Sequence, residues 1–344
     1  MHKVDPQRPG ALMAAEIAEQ PAILAGLLAA RDELEDAARR IAAARPRFAV
    51  IAARGTSDHA ALYAKYLVEI RRHLPAGLAS PSTFTLYKAT PDLTDVLFLG
   101  ISQSGHSPDL VESMAAARAC GALTVAVTNS PNSPLALAAE ISVDVRAGVE
   151  RAVAATKTYT AELLALLLLL GGDGAARDAE LLPEAASRTL AANGPEQIAS
   201  AVARLRHADR IVVSGRGYSY PTAREGALKL METSYLSAQA FSGADLLHGP
   251  LAMIDESVPV IAVTSAGRSA DAMEPVLERL AEVGAEVLPV GPASGLPVAA
   301  AGLPEHVLPI VEIMPLQLLA LRLALARGAD PDAPRGLSKV THTR

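Results

Sequence analysis

Two stretches of this chain repeat each other. RFAVIAARG closes on Gly55 and DRIVVSGRG on Gly217, 162 residues later. VLFLGISQSG leads through a helical stretch to Gly121-Ala122, and VPVIAVTSAG leads likewise to Gly284-Ala285, a displacement of 163. Landmarks that agree within one residue imply a duplicated unit. Runs rich in Val, Ile and Phe lie near 47–53, 96–101, 123–127 and 141–145, and again near 210–214, 259–264 and 286–290. Longer Ala/Leu helical patterns separate them, as expected of parallel strands buried on both faces. The chain is therefore expected to be α/β, with two duplicated lobes, each a parallel sheet flanked by helices.

The 344 residues suit two such lobes. A helical segment is expected over 1–45, with Pro21 at a first-turn or break position. The first lobe should cover 46–190 and the second 191–327, with a polar, Gly/Pro-containing linker near 171–195 and a turn-rich tail over 328–344. A formal charge of −6 offers no general attraction for nucleic acid. The single cysteine, Cys120, rules out an intramolecular disulfide and reads as a packed small hydrophobe in an Ala-rich helix. The N-terminus carries Asp, Glu and Pro where a secretory signal needs an apolar core, and Leu163 to Leu170 is too short to span a bilayer. A cytoplasmic protein without a membrane or nucleic-acid partner is expected.

The chemistry concentrates at a few corners. Ile101-Ser-Gln-Ser-Gly-His-Ser107 follows a buried strand and opens a helix. Hydroxyls of Ser102, Ser104 and Ser107, the Gln103 amide and backbone N–H groups could hold a phosphate there, with Gly105 allowing close approach. A Ser-rich helix cap without a ligand is the alternative. A second strand-to-helix corner, Arg54-Gly-Thr-Ser-Asp-His59, contains neither GxGxxG nor GxxxxGK[ST], so dinucleotide and P-loop readings lack their fingerprints. Farther on, Glu225, Lys229 and Glu232 would share one helix face, as a solvated ion pair with a neighbouring carboxylate or as a catalytic group. His248 before Gly-Pro is a weak signal taken alone.

Taken together, EIAEQPAIL, ARGTSDHA, ISQSGHSPDL, GVERAVAATKTYTAEL, GRGYSYPTAREGALKLMETSY, LLHGPLAMID and PRGLSKVT resemble the double-SIS sugar isomerases. The likeness is to the isomerase part of glucosamine-6-phosphate synthase and to the SIS-type glucosamine-6-phosphate deaminases. It implies two SIS (flavodoxin-like) lobes and places Ser57, Ser102, Gln103, Ser104 and Ser107 at the sugar phosphate. Glu232 falls at the proton-transfer glutamate, with Lys229 beside it. His248 matches the ring-opening histidine contributed by a neighbouring subunit, and Lys339 the tail lysine that contacts the open sugar. Glu150 and Val153 match residues lining the sugar pocket.

His106 stands where the synthase has glutamate in SQSGE, and Asp245 where it has glutamate in GELKHGP. Little sequence precedes EIAEQP and no cysteine follows Met1, so a glutaminase function is not expected. The resemblance then implies conversion of glucosamine 6-phosphate to fructose 6-phosphate and ammonia, without metal or redox cofactor, in a homodimer with shared active sites. Phosphosugar isomerisation, fructosamine-6-phosphate deglycation and a noncatalytic sugar-phosphate sensor are the alternatives.

Overall fold

Each repeat folds as a five-stranded, all-parallel sheet in a computed structural model, which describes residues 8–292 and 295–339. In the first sheet β1 is Phe48–Ala52, β2 Ala76–Leu78, β3 Val96–Ser102, β4 Leu123–Thr128 and β5 Ile141–Asp144. In the second β6 is Arg210–Gly215, β7 Ser237–Ser242, β8 Val260–Val263, β9 Val287–Gly291 and β10 Leu296–Pro297. The orders are β2-β1-β3-β4-β5 and β10-β9-β8-β6-β7, which is one winding used twice. In each sheet the order reverses beside the repeat's first strand, between β1 and β3 and between β6 and β8. Loops leaving the carboxyl ends of those strands part there and open a crevice. The register Phe48↔Val96 through Ala52↔Gly100 sets the loops after β1 and β3 side by side.

The seven expected strands are all present. The three additional ones, β2, β7 and β10, lie at sheet edges. An edge strand has one paired side and can be short or polar, so SAQAFS and Leu296–Pro297 lack the apolar run that marks a central strand.

Phe98, Leu110, Met114 and Leu135 form the core of the first sheet; Val212, Val260, Met273 and Leu280 belong to that of the second. Gly100 in β3 is required by this packing, because a Cβ there would lie 2.4 Å from Met114 Cε. Every residue of the Lys157–Leu170 helix is buried, so the leucine run is a core helix. Cys120 ends the Pro108–Ala119 helix and packs, half-buried, against the first core.

Pro21 neither starts nor breaks a helix: Ala11–Ala29 is continuous through it. A proline within a helix leaves the carbonyl four residues earlier without its usual donor. That carbonyl belongs to Ile17, and Gln20 Nε2 donates to it at 3.0 Å.

Two helices, Ala11–Ala29 and Pro309–Ala326, are long and apolar enough by composition to cross a bilayer. The second is 78% buried within the protein, which makes it a core helix. The first carries Glu16 and Gln20 buried in polar contacts.

Among the described residues the chain divides into two compact units, one gathering 8–22, 151–156 and 181–337, the other 23–150, 157–180 and 338–339. The end of the tail motif, Val340-Thr341, lies outside the described residues.

Phe98 is fully buried and meets Phe84 edge-to-face at 6.0 Å. Phe98→Ala should lower unfolding stability by about 3–5 kcal/mol in urea denaturation, the usual loss for deleting a core aromatic ring.

Candidate active site

The loop after β3 is held by its own backbone. Ser102 Oγ accepts from Gly105 N at 3.1 Å and Ser104 Oγ from His106 N at 3.3 Å. Gln103 O accepts from Asn129 N and Thr128 Oγ1 at 3.1 and 3.2 Å, so the end of β4 buttresses the loop. Gly105 has φ +65°, and a Cβ there would come within 2.0 Å of Ser133 Oγ, which leaves glycine as the residue that fits. Ser107 stands at the helix N-cap, yet its side chain makes no capping bond.

Glu150 is the hub of this unit. Its carboxylate accepts from Thr158 N (3.1 Å), Thr158 Oγ1 (2.6 Å) and Gln103 Nε2 (2.9 Å), and pairs with Lys339 Nζ at 2.8 Å. Gln103, Ser104, Asn129, Arg146, Glu150 and Lys339 line a cavity of about 700 Å³. Four residues singled out in the sequence, Gln103, Ser104, Glu150 and Lys339, thus meet at one opening. Ser57 is buried, and its hydroxyl donates to Glu162 Oε1 at 3.0 Å. Val153 belongs to the other unit, on the loop 151–156.

Sequence reasoning passed over three polar groups here. Arg54 Nε, from the loop after β1, pairs at 2.9 Å with the buried Asp109 in the helix after β3, spanning the crevice. Asn129 staples the loop after β5, accepting from Ala147 N at 2.8 Å and donating to Gly148 O at 2.7 Å. Arg146 is paired with Glu33 at 2.6 Å. Position beyond the carboxyl ends of β1, β4 and β5 was the available signal.

In the other unit the Tyr220–Ser234 helix carries Glu225, Lys229 and Glu232. The solvated-pair alternative does not hold, because Lys229 and Glu225 are fully buried. Lys229 Nζ lies 3.2 Å from Glu225 Oε1 and 2.6 Å from Glu232 Oε2. Burial alone would lower the ammonium's pKa, but the two carboxylates outweigh it and hold the pKa above the ordinary lysine range. Lys229 therefore remains a cation. Glu232, whose side chain is 22% exposed, is the member of the trio that reaches the surface. His248 follows the short Gly243–Leu247 helix, which Ser242 caps through Asp245 N at 3.2 Å. Its ring is exposed and makes no hydrogen bond among the described residues, and Gly249, at φ +125°, turns the chain after it.

Two parallel five-stranded sheets with one winding, a serine-rich loop at the first crevice and a Lys-locked carboxylate in the second repeat define a double-lobed α/β protein. The SIS domain pattern matches residues 44–171 and 204–327, once per repeat, and the chain belongs to the SIS-domain family.

It is 36% identical over 358 residues to the glutamine–fructose-6-phosphate aminotransferase (isomerizing) of Gloeobacter violaceus, covering 95% of this chain and 58% of that protein. The chain thus spans little more than half the length of that curated relative. A Silicibacter pomeroyi DSS-3 structure provisionally designated a phosphosugar isomerase is 33% identical with TM-score 0.83, over 93% of this chain and 99% of that one. The C-terminal domain of the Francisella tularensis glucosamine-fructose-6-phosphate aminotransferase is 27% identical with TM-score 0.84, over 97% and 100%.

Glu312, on the Pro309–Ala326 helix, is a fully buried carboxyl in the unit that holds Lys229. Burial pushes its pKa up to about 7, against hydrogen bonds from Ser219 Oγ (2.9 Å) and Thr222 Oγ1 (3.2 Å), with Glu305 adding to the rise. A carboxyl with a raised folded pKa binds its proton more tightly in the native state. Its contribution is full below the unfolded value, near 4.5, and is lost as pH rises through about 7. Urea denaturation between these limits should show stability falling with pH from this group, and Glu312→Gln should flatten that part of the profile.

Proposed function

We propose that the chain is an aldose–ketose isomerase of amino-hexose 6-phosphates and, most specifically, a glucosamine-6-phosphate deaminase. The observation that carries this is the Lys229-held Glu232: a carboxylate fixed by a permanent buried cation and open to solvent on one side. One carboxylate placed over both carbons can move a proton from C2 to C1, acting first as base and then as acid. Lys229 stays charged and cannot be the base, so the role falls to Glu232.

The phosphate is read by Ser57 and the Ser102–Ser107 loop, with Gly105 shaping the cradle. Glu150, Val153 and Lys339 face the sugar. His248 opens the pyranose by taking the anomeric hydroxyl proton and returning one to the ring oxygen. Its exposed ring suits a residue lent to a neighbouring subunit, in a homodimer with shared sites. Proton transfer converts the 2-amino aldose to the C2 imine of fructose 6-phosphate, and water adds to that imine, giving fructose 6-phosphate and ammonia. The relatives' names, which join fructose 6-phosphate, amino transfer and isomerisation, support the substrate class. The lone cysteine accords with a cytoplasmic setting. The likeness to the Silicibacter protein favours, as second reading, phosphosugar isomerisation with no nitrogen released.

With glucosamine 6-phosphate, ammonia and fructose 6-phosphate should appear in equal amounts. Glu232→Gln should lower kcat by about 10²–10⁴-fold, the range for losing a general acid–base group, while sugar-phosphate binding persists. Ketose formed with nitrogen retained would establish the second reading. Binding without any turnover of aldose or ketose phosphates would make the chain a sensor.

A further inference from the structure

The EIAEQP block is a motif to which neither the phosphate loop nor the Glu232 helix gives a role, and its side chains are occupied elsewhere. Glu16 is 4% exposed, and its carboxylate accepts from Arg151 N and from Ala152 N, the latter at 3.3 and 3.4 Å. Gln20 is fully buried; besides donating to Ile17 O, its Nε2 donates to Gln317 Oε1 at 2.9 Å. Gln317, also fully buried, donates in turn to Thr156 O at 3.2 Å. One end of the segment 151–156 is thus tied to Glu16 and the other, through Gln317, to Gln20.

Both ties act on peptide groups next to the hub carboxylate. The Arg151 N–H belongs to the peptide unit whose carbonyl is that of Glu150. The Thr156 carbonyl belongs to the unit that enters Lys157, one residue before Thr158, whose N and Oγ1 both donate to Glu150. Pro21 completes the device, since its missing N–H is what leaves Ile17 O for Gln20.

We infer that Glu16 and Gln20, with Gln317, are positioning residues: they clamp the segment 151–156 at both ends and so fix the backbone that presents Glu150 and Val153. The functional side of this inference rests on the proposed role of Glu150 and Val153 in the sugar pocket. The clamp itself can be tested without substrate.

Amide hydrogen exchange on the full-length protein should show at least tenfold loss of protection at Arg151 and Ala152 in Glu16→Ala. The loss should be smaller in Glu16→Gln, which keeps one acceptor oxygen. Gln317→Leu should loosen the 156–158 end instead. With glucosamine 6-phosphate, Glu16→Ala should raise KM tenfold or more while kcat stays within about threefold, the pattern of lost ground-state positioning. Leu280→Ala, in the core of the second sheet, serves as a control for stability. At an equal fall in Tm it should alter neither the exchange at 151–152 nor KM.

Unchanged protection in both Glu16 variants overturns the clamp, as does the same local loss in Leu280→Ala. If wild-type protein neither binds nor converts sugar phosphates, the proposed function falls. The exchange result then decides the clamp by itself: confined loss at 151–158 sustains it and unchanged protection refutes it.

Discussion

A lysine ammonium with no exposed surface, held between Glu225 and Glu232, governs how the second repeat can be built. An uncompensated charge in a protein interior is strongly unfavourable, and removing one partner of a buried pair typically destabilises by about 3–5 kcal/mol. The Tyr220–Ser234 helix must therefore keep all three side chains on one face, with the Lys229 end sealed inside and the Glu232 end at the surface. The i, i+4 and i, i+3 spacing supplies that geometry from sequence alone. What spacing cannot supply is burial, and burial turns an ordinary surface pair into a fixed carboxylate.

The first repeat applies the opposite polarity to a similar problem. Glu150 is a carboxylate surrounded by donors: Thr158 through both backbone and hydroxyl, Gln103 through its amide and Lys339 through its ammonium. Three of these come from separate stretches of chain, the β3 loop, the Lys157–Leu170 helix and the tail. A single charge thereby ties the β3 loop and the tail to the same wall of the cavity. The two sheets share one winding, yet one repeat contributes a polar cavity and the other a carboxylate on a helix.

Much of this was legible in the sequence because it rests on local rules. Central parallel strands are apolar on both faces, which made six of the seven expected strands legible, the seventh being the edge strand β5, and the repeat displacement carried over into identical strand orders. The edge strands β2, β7 and β10 escaped because one side of each is unpaired and no apolar run is needed. Pro21 misled because the usual rule for a proline assumes an unanswered carbonyl, whereas Gln20 answers it from one residue away. Among site residues, glycine- and serine-rich loops announce themselves. Arg54, Asn129 and Arg146 do not, because their partners Asp109, Gly148 and Glu33 are distant in sequence. The partition of 151–156 away from Glu150 was likewise unreadable from spacing, since it follows from buried partners at 16, 20 and 317.

The account turns on a carboxylate carrying a proton between two carbons. The most direct measurement is the fate of deuterium in turnover of C2-deuterated glucosamine 6-phosphate. Glu232 as shuttle predicts label divided between C1 of fructose 6-phosphate and water, with solvent deuterium entering C1 when unlabelled substrate reacts in heavy water. A Glu232→Gln variant that converts the same substrates at the wild-type rate with the same label distribution would contradict the role assigned to Glu232.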